Sequence, residues 1–482
     1  MANPLAYLPY ALAASGGTVD GYEAQQLVAA GLTLLQRSAP LVRALAGRRA
    51  AILLPTSPAF ITALAAAEGR GAVLINPLAA PAEIAYQLED AGVGAVFTDR
   101  ALLPRVPEHI VRVLLDEAPR SARVLHGGAS ADIDLGSHFG LDLEGERDVS
   151  GAPEECAVVY ASAMAGRPLG AILTHRNLLA NAQGTVIAAK QTRDDHVLAL
   201  LPWTHLFGLT VTASAPLLAG ARVTTVDRFH PVKIVDLIAG GTITEVVGVP
   251  SVFKALLGGI ERRGGRIETD LRLALCGGAP LEPAVQDRWF NATGTELRQG
   301  YGLTEAGPVC LVNRVDQPNR RGALGVPVPG MEVAIAEPAP MAVGGDEVLL
   351  LGDGQEGEIV VRGTSVSAGY VSGGDHGLVR ARDRWLRTGD LGIRHADGAF
   401  EFRGVTKPMF TRNGFNVFPH EIEQVVRSMP GVTAVDVAGR PDPAREHDIT
   451  VFVRGSVTED AVRAWCDARL SAYKQPTVIR VG

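Results

Sequence analysis

Short apolar runs alternate with helix-like segments between residues 50 and 310. Apolar runs bounded by turn residues predict strands, here at Ala50–Pro55, Cys156–Ser162, His196–Pro202, Thr244–Pro250 and Leu271–Gly278. Segments with a helical period predict helices at His175–Ala189, Pro231–Ala239 and Glu282–Asn291. Such alternation is typical of an α/β fold, in which ligands bind at the carboxyl ends of strands. We therefore expect a large domain of layered sheets and helices, with one site formed by the loops after Ser162, Pro202, Pro250, Gly278 and Gly300.

The pattern changes between residues 320 and 405, where turn-punctuated apolar runs such as Gly357–Gly363 replace the alternation. Together with a hairpin-like turn at His395–Ala399, they predict a β-rich, barrel-like subregion. Beyond it, helices and strands are predicted at His420–Met429, Val432–Ala438, Ile449–Val453 and Thr458–Leu470. This organisation predicts an N-terminal domain at residues 1–405 and a small α+β C-terminal domain at 409–482, with a hinge near Lys407-Pro408.

Composition and charge exclude several classes of protein. The 482 residues are 47% hydrophobic and 20% charged, which is typical of an ordered globular chain. A formal net charge of −7 excludes a basic nucleic-acid-binding surface. The four cysteines form no CxxC pair and predict neither a zinc ribbon nor a disulfide framework. The first basic residue is Arg37, which argues against a secretory signal, and prolines interrupt the longest uncharged runs. We expect a cytoplasmic protein with no nucleic-acid partner and no membrane span.

Six motifs follow one another in a fixed order. They are Tyr160–Gly170 followed by Thr174-His175, Leu201–His205 with Gly208, Gly277–Pro280, Gly300–Glu305, Thr388–Asp390 and Gly414–Glu423. Together they resemble the AMP-forming adenylating superfamily of acyl-CoA ligases, peptide-synthetase adenylation domains and luciferases. The resemblance implies two half-reactions. A carboxylate attacks ATP to give an acyl-adenylate and pyrophosphate, and the CoA thiol then attacks the acyl carbonyl and releases AMP. It also implies a mobile C-terminal domain that reorients between the two.

The same resemblance implies a set of ligand-binding residues. The residues it places around the adenylate are Gly277, Gly278, Ala279, Pro280, Gly300, Tyr301, Gly302, Thr304 and Asp390. Within this set, Tyr301 would stack on adenine, Thr304 would donate to a phosphate oxygen, and Asp390 would accept from both ribose hydroxyls. Glu305 resembles the carboxylate that holds magnesium. Gly414 falls in the loop that lines the pantetheine tunnel for CoA.

The acyl side of the site is implied in the same way. His205 would lie beside the acyl group, and it completes a catalytic set with Thr304 and Glu305. The expected substrate-binding residues are Trp203, His205, Val249 and Gly302. Small and apolar residues at these positions permit a large hydrophobic acyl group without specifying one.

Each assignment has a purely structural alternative. A histidine near a strand end is often a structural residue, and Thr304-Glu305 is also a helix N-cap followed by a first-turn acid. Asp390 and Gly414 each follow the pattern of a turn. Trp203 either closes the acyl pocket or packs in the core, and the sequence favours neither.

The loop between Tyr160 and Gly170 departs from the family pattern. Where hydroxyl residues, glycines and a lysine are usual, this chain has Ala161, Ala163, Met164, Ala165 and Leu169, and only Ser162 and Gly166 keep the usual character. Alanine and methionine supply neither the hydroxyl donors nor the point charge that would hold the β- and γ-phosphates of ATP. Adenylation is therefore expected to suffer more than thioester formation, since each fixed donor of this kind contributes about 3–4 kcal/mol to catalysis.

Two further departures lie near the C-terminus. Val405 replaces the usual arginine of the hinge, and Pro408 fixes φ there, which is expected to restrict domain rotation. The family also carries a lysine beyond a Tyr-Lys-x-Pro segment, where it bridges carboxylate and α-phosphate during adenylation. Tyr473–Pro476 matches that segment, and the printed sequence reaches Gly482 without such a lysine, an ending that trimming would equally produce.

These departures predict a homologue specialised for the second half-reaction, which forms acyl-CoA and AMP from a preformed acyl-adenylate and CoA, with adenylation of the free acid impaired or lost. In this it resembles the non-adenylating acyl-CoA ligase type of platensimycin and platencin biosynthesis. That resemblance implies a bulky, diterpenoid acyl group and a separate adenylating ligase as supplier. The expected ligands are the AMP moiety of the adenylate and CoA, with ATP use in doubt and magnesium left open. The alternatives are a complete two-step ATP-dependent ligase and a catalytically silent adenylate-binding regulator, while an adenylation-only enzyme serving a carrier protein fits worst.

Overall fold

Helices alternate with β-sheets in this computed structural model. It describes residues 7–67, 71–116, 119–136, 155–161, 168–338, 348–371, 385–406, 409–413, 415–442 and 445–482. The α-helices are α1 Leu8–Ala13, α2 Ala24–Arg37, α3 Ala39–Leu45, α4 Pro58–Ala66, α5 Pro81–Asp90, α6 His175–Ala189, α7 Leu206–Leu209, α8 Ala215–Leu218, α9 Pro231–Ala239, α10 Pro250–Glu261, α11 Pro283–Thr293, α12 Pro419–Arg427 and α13 Glu459–Asp467. Several begin at a proline, whose fixed φ suits a first helical residue and whose missing N–H is not needed there. Helix α6 instead begins with a capping box, in which the Thr174 hydroxyl accepts from the Asn177 amide at 3.1 Å and the Asn177 side chain accepts from the Thr174 amide.

The strands are short, and most are buried. They are β1 Thr18–Val19, β2 Tyr22–Glu23, β3 Arg49–Leu53, β4 Ala72–Leu74, β5 Val93–Thr98, β6 Val111–Leu115, β7 Ser121–His126, β8 Ala129–Asp134, β9 Glu155–Ala161, β10 Leu169–Thr174, β11 His196–Ala199, β12 Arg222–Thr225, β13 Glu245–Gly248, β14 Leu273–Cys276, β15 Leu297–Gly302, β16 Val309–Val312, β17 Val326–Pro327, β18 Met331–Ala336, β19 Glu356–Gly363, β20 Gly369–Tyr370, β21 Leu386–Arg394, β22 Phe400–Val405, β23 Phe410–Arg412, β24 Phe415–Val417, β25 Val432–Asp442, β26 Glu446–Gly455 and β27 Val478–Val481.

Two large sheets form the centre of the fold. The first has the order β17-β16-β15-β14-β13-β11-β12-β1-β2, and its run from β15 to β1 is parallel throughout. Every residue of β13 and β14 is buried, which is typical of parallel strands covered on both faces. The second sheet has the order β20-β10-β9-β4-β3-β5-β6-β7-β8 and is parallel from β9 to β6. Of the five predicted strands, three therefore lie in the first sheet, and Ala50–Pro55 and Cys156–Ser162 contribute β3 and β9 to the second.

The β-rich subregion is an antiparallel sheet of order β18-β19-β21-β22, and the predicted hairpin at His395–Ala399 joins β21 to β22. The last part of the described chain forms a separate group, which we call the C-terminal unit, residues 409–482. It contains the hairpin β23-β24 and the sheet β25-β26-β27 with α12 and α13. Its buried apolar side chains, from Phe410 to Ile479, pack with one another in a cluster of their own. The mixed α/β fold with a large N-terminal part and a smaller C-terminal part agrees with the prediction.

Element boundaries follow the sequence pattern closely where the pattern is strong. Helices α6 and α9 have the predicted ends, whereas strands β11, β13 and β14 are shorter than predicted because their last residues turn into the loops of the site. The prediction missed β27 and the hairpin β23-β24, whose runs of three or four residues are too short to show a period. The hinge at Lys407-Pro408 lies outside the described residues. None of the helices described is long and apolar enough to cross a membrane.

Candidate active site

The site lies at the carboxyl edge of the first sheet. Strands β11, β13, β14 and β15 are parallel neighbours, so the loops after them leave the sheet on the same side. These loops and the end of β15 carry His205, Val249, Gly277–Pro280 and Tyr301–Glu305. The sequence prediction of converging loops therefore holds for the four that follow strands of this sheet. The fifth, after Ser162, begins outside the described residues.

Asp390 and Tyr301 form the most closely defined pair of the site. The Tyr301 hydroxyl donates to Asp390 Oδ2 at 2.6 Å, which links strand β15 to β21 of the β-rich sheet. Burial raises the pKa of Asp390 to about 6; the hydrogen bond from Tyr301 lowers it, and the charges of Glu358 and Glu305 raise it further. Burial likewise raises the pKa of Tyr301. Near neutral pH the pair thus offers one carboxylate with free acceptor capacity in a largely dehydrated place.

Glu305 is held from two directions. The Tyr370 hydroxyl donates to Glu305 Oε1 at 2.8 Å, and the Glu305 carbonyl accepts from the Ser367 amide at 2.8 Å. Burial raises the pKa of Glu305, partly offset by the bond from Tyr370. The described residues contain no group of three or more His, Cys, Asp or Glu that could hold a metal. Magnesium usually takes one or two carboxylates together with substrate phosphates. Glu305 fits that role only in the presence of a nucleotide that supplies the remaining ligands.

Glycines shape the loops beside these side chains. Gly278 has φ +79°, a left-handed conformation that other residues adopt at a cost. A Cβ at Gly277 would lie 2.9 Å from the Phe207 ring, and one at Gly302 would lie 1.8 Å from the Pro308 carbonyl oxygen. At Gly302 the close approach is between two parts of the backbone, which gives this glycine a structural reason independent of any ligand.

His205 lies in the loop between β11 and α7, and its ring approaches Phe415 of the C-terminal unit. Its side chain keeps exposed surface area, although protein atoms surround it. That crowding lowers its pKa, because a charged imidazole is disfavoured in dehydrated surroundings, so the ring is neutral at pH 7. The Phe415 ring lies 6.0 Å from the His205 ring, and Phe415 stacks on Tyr473 at 4.4 Å with 19° between the planes.

The remaining predicted residues fall into three groups. The loops of the site and the strand ends beside them carry Ala279, Pro280, Gly300 and Thr304. Val249 lies beside Gly278, where a Cβ would be 3.5 Å from the Val249 side chain. Trp203 is fully buried in the core, where its Nε1 donates to Thr212 at 3.0 Å and its ring meets Phe60 edge-on. The structure thus favours core packing for Trp203. Gly414 and the phosphate loop at 162–167 lie outside the described residues.

Sequence reasoning missed Tyr370 and Phe415. Tyr370 reaches Glu305 from a separate two-residue strand, and nothing in its local pattern signals that contact. Phe415 directly follows Gly414 inside a motif that was recognised, so its position was a usable signal.

Comparison with known protein families gives a match over most of the chain. The family model described as AMP-binding enzyme matches residues 40–371. A feruloyl-CoA synthase from Amycolatopsis sp is 31% identical over 437 residues, which cover 89% of this chain and 84% of that protein. A long-chain-fatty-acid–CoA ligase from Escherichia coli O157:H7 is 28% identical over 467 residues, which cover 90% of this chain and 82% of the ligase.

A solved structure gives the same fold. The o-succinylbenzoate CoA synthetase from Bacillus subtilis, a double mutant bound with a product analogue, superposes with a TM-score of 0.79 at 22% identity. The match covers 100% of this chain and 95% of that structure. The similarity therefore extends over both the sheets and the C-terminal unit.

Proposed function

Because the chain belongs to the AMP-binding enzyme family as an acyl-CoA ligase homologue, we propose that it converts a preformed acyl-adenylate and CoA into acyl-CoA and AMP, with adenylation of the free acid impaired or lost. In this step the CoA sulfur attacks the acyl carbonyl, a C–S bond forms, the C–O bond to phosphate breaks, and AMP leaves. The thiol proton passes to water or buffer. A thiol with a pKa near 8.5 is a few per cent thiolate at neutral pH, so the step requires little activation.

The burial of Leu169 in a strand is the observation that best supports this proposal. It stands where the family resemblance expects the phosphate-loop lysine, and it is 6% exposed in strand β10, paired with Ala161 of β9. A buried apolar residue in a strand offers no charge to a triphosphate. Attack of an anionic carboxylate on ATP depends on such charges, whereas thiolysis of an adenylate involves a single phosphate.

The site residues have matching roles in this proposal. The AMP moiety is bound by Asp390 at the ribose and by Tyr301, Thr304 and the loop Gly277–Pro280 around the base and phosphate. Gly300 and Gly302 keep the backbone close to it. Glu305 would hold magnesium if a nucleotide brought the other ligands, and the ion would stabilise negative charge on phosphate oxygens.

In this proposal the acyl group lies between His205 and Val249. Trp203, buried in the core, supports the loop that carries His205. A neutral His205 places a hydrogen-bonding group near the acyl carbonyl without adding charge to the site. We extend the proposal to a bulky hydrophobic acyl group, which the family resemblance suggests and which the apolar Val249 side chain beside Gly278 permits. A diterpenoid acid is the example that the non-adenylating ligases suggest.

The C-terminal unit serves as the mobile domain in this proposal, with residues 1–405 as the N-terminal domain and the hinge near Lys407-Pro408. The packing of Phe415 against His205 supports it, because Phe415 follows Gly414, the residue that the family resemblance places on the pantetheine tunnel. An adenylate must then come from a separate adenylating ligase, and both enzymes would work in the cytoplasm.

The test compares two reactions that differ only in the acyl donor. One contains hydrophobic acids, ATP, magnesium and CoA, and the other contains the synthetic adenylates of the same acids and CoA. Mass spectrometry measures acyl-CoA, and pyrophosphate release in the first reaction reports adenylation without transfer. The proposal expects acyl-CoA from the adenylates only. Acyl-CoA and pyrophosphate from acid and ATP at comparable rates would contradict it, and AMP binding without any product would favour a silent regulator.

A complete two-step ligase is the second candidate. The observation in its favour is that the relatives named above, which align with 89–90% of this chain, are named as CoA synthase and CoA ligase. This candidate expects pyrophosphate release from acid and ATP, and the first of the two reactions decides it.

A further inference from the structure

A chain of contacts joins helix α5 to His205 across the boundary between the C-terminal unit and the rest of the chain. Glu83, in the first turn of α5, lies with Oε1 3.2 Å from Lys474 Nζ, and the Ser471 hydroxyl donates to Glu83 Oε2. Tyr473, between Ser471 and Lys474 in sequence, stacks on Phe415. Phe415 in turn packs beside His205 at 6.0 Å.

We call this chain of contacts, from Glu83 through Lys474, Ser471, Tyr473 and Phe415 to His205, the junction. Its charged centre, the Lys474 ammonium group, is buried. The Lys474 side chain is only 6% exposed, and it lies 3.1 Å from Glu421 of its own unit as well as 3.2 Å from Glu83. Burial lowers the pKa of Lys474, but interactions with Tyr473, Glu421 and Glu83 outweigh that effect and raise it, so the ammonium is charged. Removing one partner from a buried charge is costly because the remaining charge stays dehydrated. Glu83 is the partner that comes from outside the C-terminal unit.

Both ends of the junction are held in place. The Ala80 amide donates to Glu83 Oε2 at 2.9 Å, which fixes the carboxylate at the start of α5. On the other side, Arg412 of the hairpin β23-β24 donates to the carbonyls of Tyr473 and Gln475, at 3.3 and 2.5 Å. The hairpin that carries Phe415 is therefore tied to the same segment that binds Glu83.

We propose that Glu83 is a positioning residue for thioester formation: its contacts with Lys474 and Ser471 hold the C-terminal unit in the orientation in which Phe415 packs against His205. This inference rests on the proposed function, since it assigns that orientation to the thiol-dependent step. Glu83 touches neither the adenylate nor CoA in this scheme and acts through the C-terminal unit.

The kinetic test uses E83Q and S471A in the full chain. E83Q keeps the size of the side chain and an oxygen for the Ala80 amide, while S471A removes only the hydroxyl contact. In E83Q we expect the rate of acyl-adenylate conversion at saturating CoA to fall on the order of tenfold, with adenosine affinity unchanged; S471A should show a smaller fall. The control is E282Q, which removes the exposed ion pair of Glu282 with Lys254 and should change neither value. An unchanged rate in E83Q would overturn the proposal.

A second measurement does not depend on turnover. The four native cysteines are buried, so spin labels can be attached at two exposed positions, Arg100→Cys in the N-terminal part and Arg454→Cys in the C-terminal unit. Pulsed electron–electron double resonance should give one dominant distance between the two spin labels in the parent protein and a broader or shifted distribution in E83Q. Identical distributions would overturn the role of Glu83. If the parent protein fails to convert the adenylate, the proposed function is rejected, while the distances still decide whether Glu83 positions the unit.

Discussion

Asp390 shows how a single side chain acquires its properties from the fold. Its sequence context, after Thr388-Gly389, is that of an ordinary turn. In the structure it lies on strand β21, accepts from Tyr301 at 2.6 Å, and has a pKa raised to about 6. Tyr301 is 89 residues away from Asp390 in the chain, so no local sequence pattern could predict this hydrogen bond.

This pKa makes the binding of a nucleoside dependent on pH. In the proposed function the ionised carboxylate accepts from ribose hydroxyls. Protonation removes that acceptor, so affinity should be full above about pH 7 and fall through pH 6. At pH 5 we expect adenosine to bind about tenfold more weakly than at pH 7.5. Calorimetry with adenosine, which has no phosphate that titrates in this range, measures the change. The D390N variant should bind weakly at both pH values, and a flat profile in the parent protein would contradict the assignment.

Trp203 illustrates the opposite case, a motif residue whose contacts are structural. It is fully buried, so Trp203→Phe should lower the free energy of unfolding by about 1–3 kcal/mol through lost packing and the loss of its bond to Thr212. The KM for an acyl-adenylate should change little, because the ring is buried in the core against Phe60. Urea denaturation and steady-state kinetics measure the two effects. A large rise in KM with unchanged stability would instead place Trp203 on the acyl pocket.

At the scale of elements, strands β11, β13 and β14 are joined at their amino ends by a buried ion network. Arg272 donates to Asp195 at 2.5 and 2.7 Å and to Glu245, and Gln191 donates to Glu245 at 2.7 Å. Glu245 is fully buried, and that burial raises its pKa to about 7 although Arg272 opposes the change. The network lies at the edge of the sheet opposite to the site, so it aligns these strands without taking part in ligand binding.

Arg272→Met should therefore destabilise the protein strongly. It leaves two buried carboxylates without their cation, and we expect a loss near the lower end of about 3–5 kcal/mol because the Arg272 side chain is 31% exposed. The pKa of Glu245 in the folded protein lies above its ordinary value, so its contribution to stability is full at low pH and lost as pH rises through about 7. The substitution should accordingly lower the free energy of unfolding more at pH 8 than at pH 5.

Urea denaturation at the two pH values measures this effect. A double variant, Arg272→Met with Glu245→Gln, is the control, because it removes one of the charges left unpaired. It should recover part of the lost stability, most clearly at pH 8. Equal stability of the single and double variants at both pH values would argue against a charge effect.

At the scale of the whole molecule, the C-terminal unit has its own apolar core, which includes Val451 and Ile479. A fragment of residues 409–482 should therefore fold alone, with an unfolding free energy below about 5 kcal/mol, as expected for a chain of this size. Cooperative thermal unfolding and a dispersed NMR spectrum would show it. Val451→Asp, which places a charge in that core, should abolish both signals. A disordered parent fragment would mean that the unit depends on its contacts with Glu83 and His205.

Much of the fold could be predicted because strong local patterns agree with it. Helices α6 and α9 begin and end as predicted, since a capping box or an initial proline marks their starts. Three of the nine strands of the first sheet, β11, β13 and β14, were predicted from apolar runs, although the sheet order was not. The short strands β20, β23, β24 and β27 escaped because pairing with distant strands, not their own composition, makes them strands.

The sequence by itself determined the order of the six motifs, the alternation that builds the sheets, and the apolar composition of residues 161–169, since all of these are local in the chain. Only the tertiary structure decided which side chains meet: Tyr301 with Asp390, Glu305 with Tyr370, Phe415 with His205, and Glu83 with Lys474. It also decided that Trp203 lies in the core. These contacts join elements far apart in sequence, and burial there sets the pKa values of Asp390 and Glu305, so they follow from packing that no local pattern records.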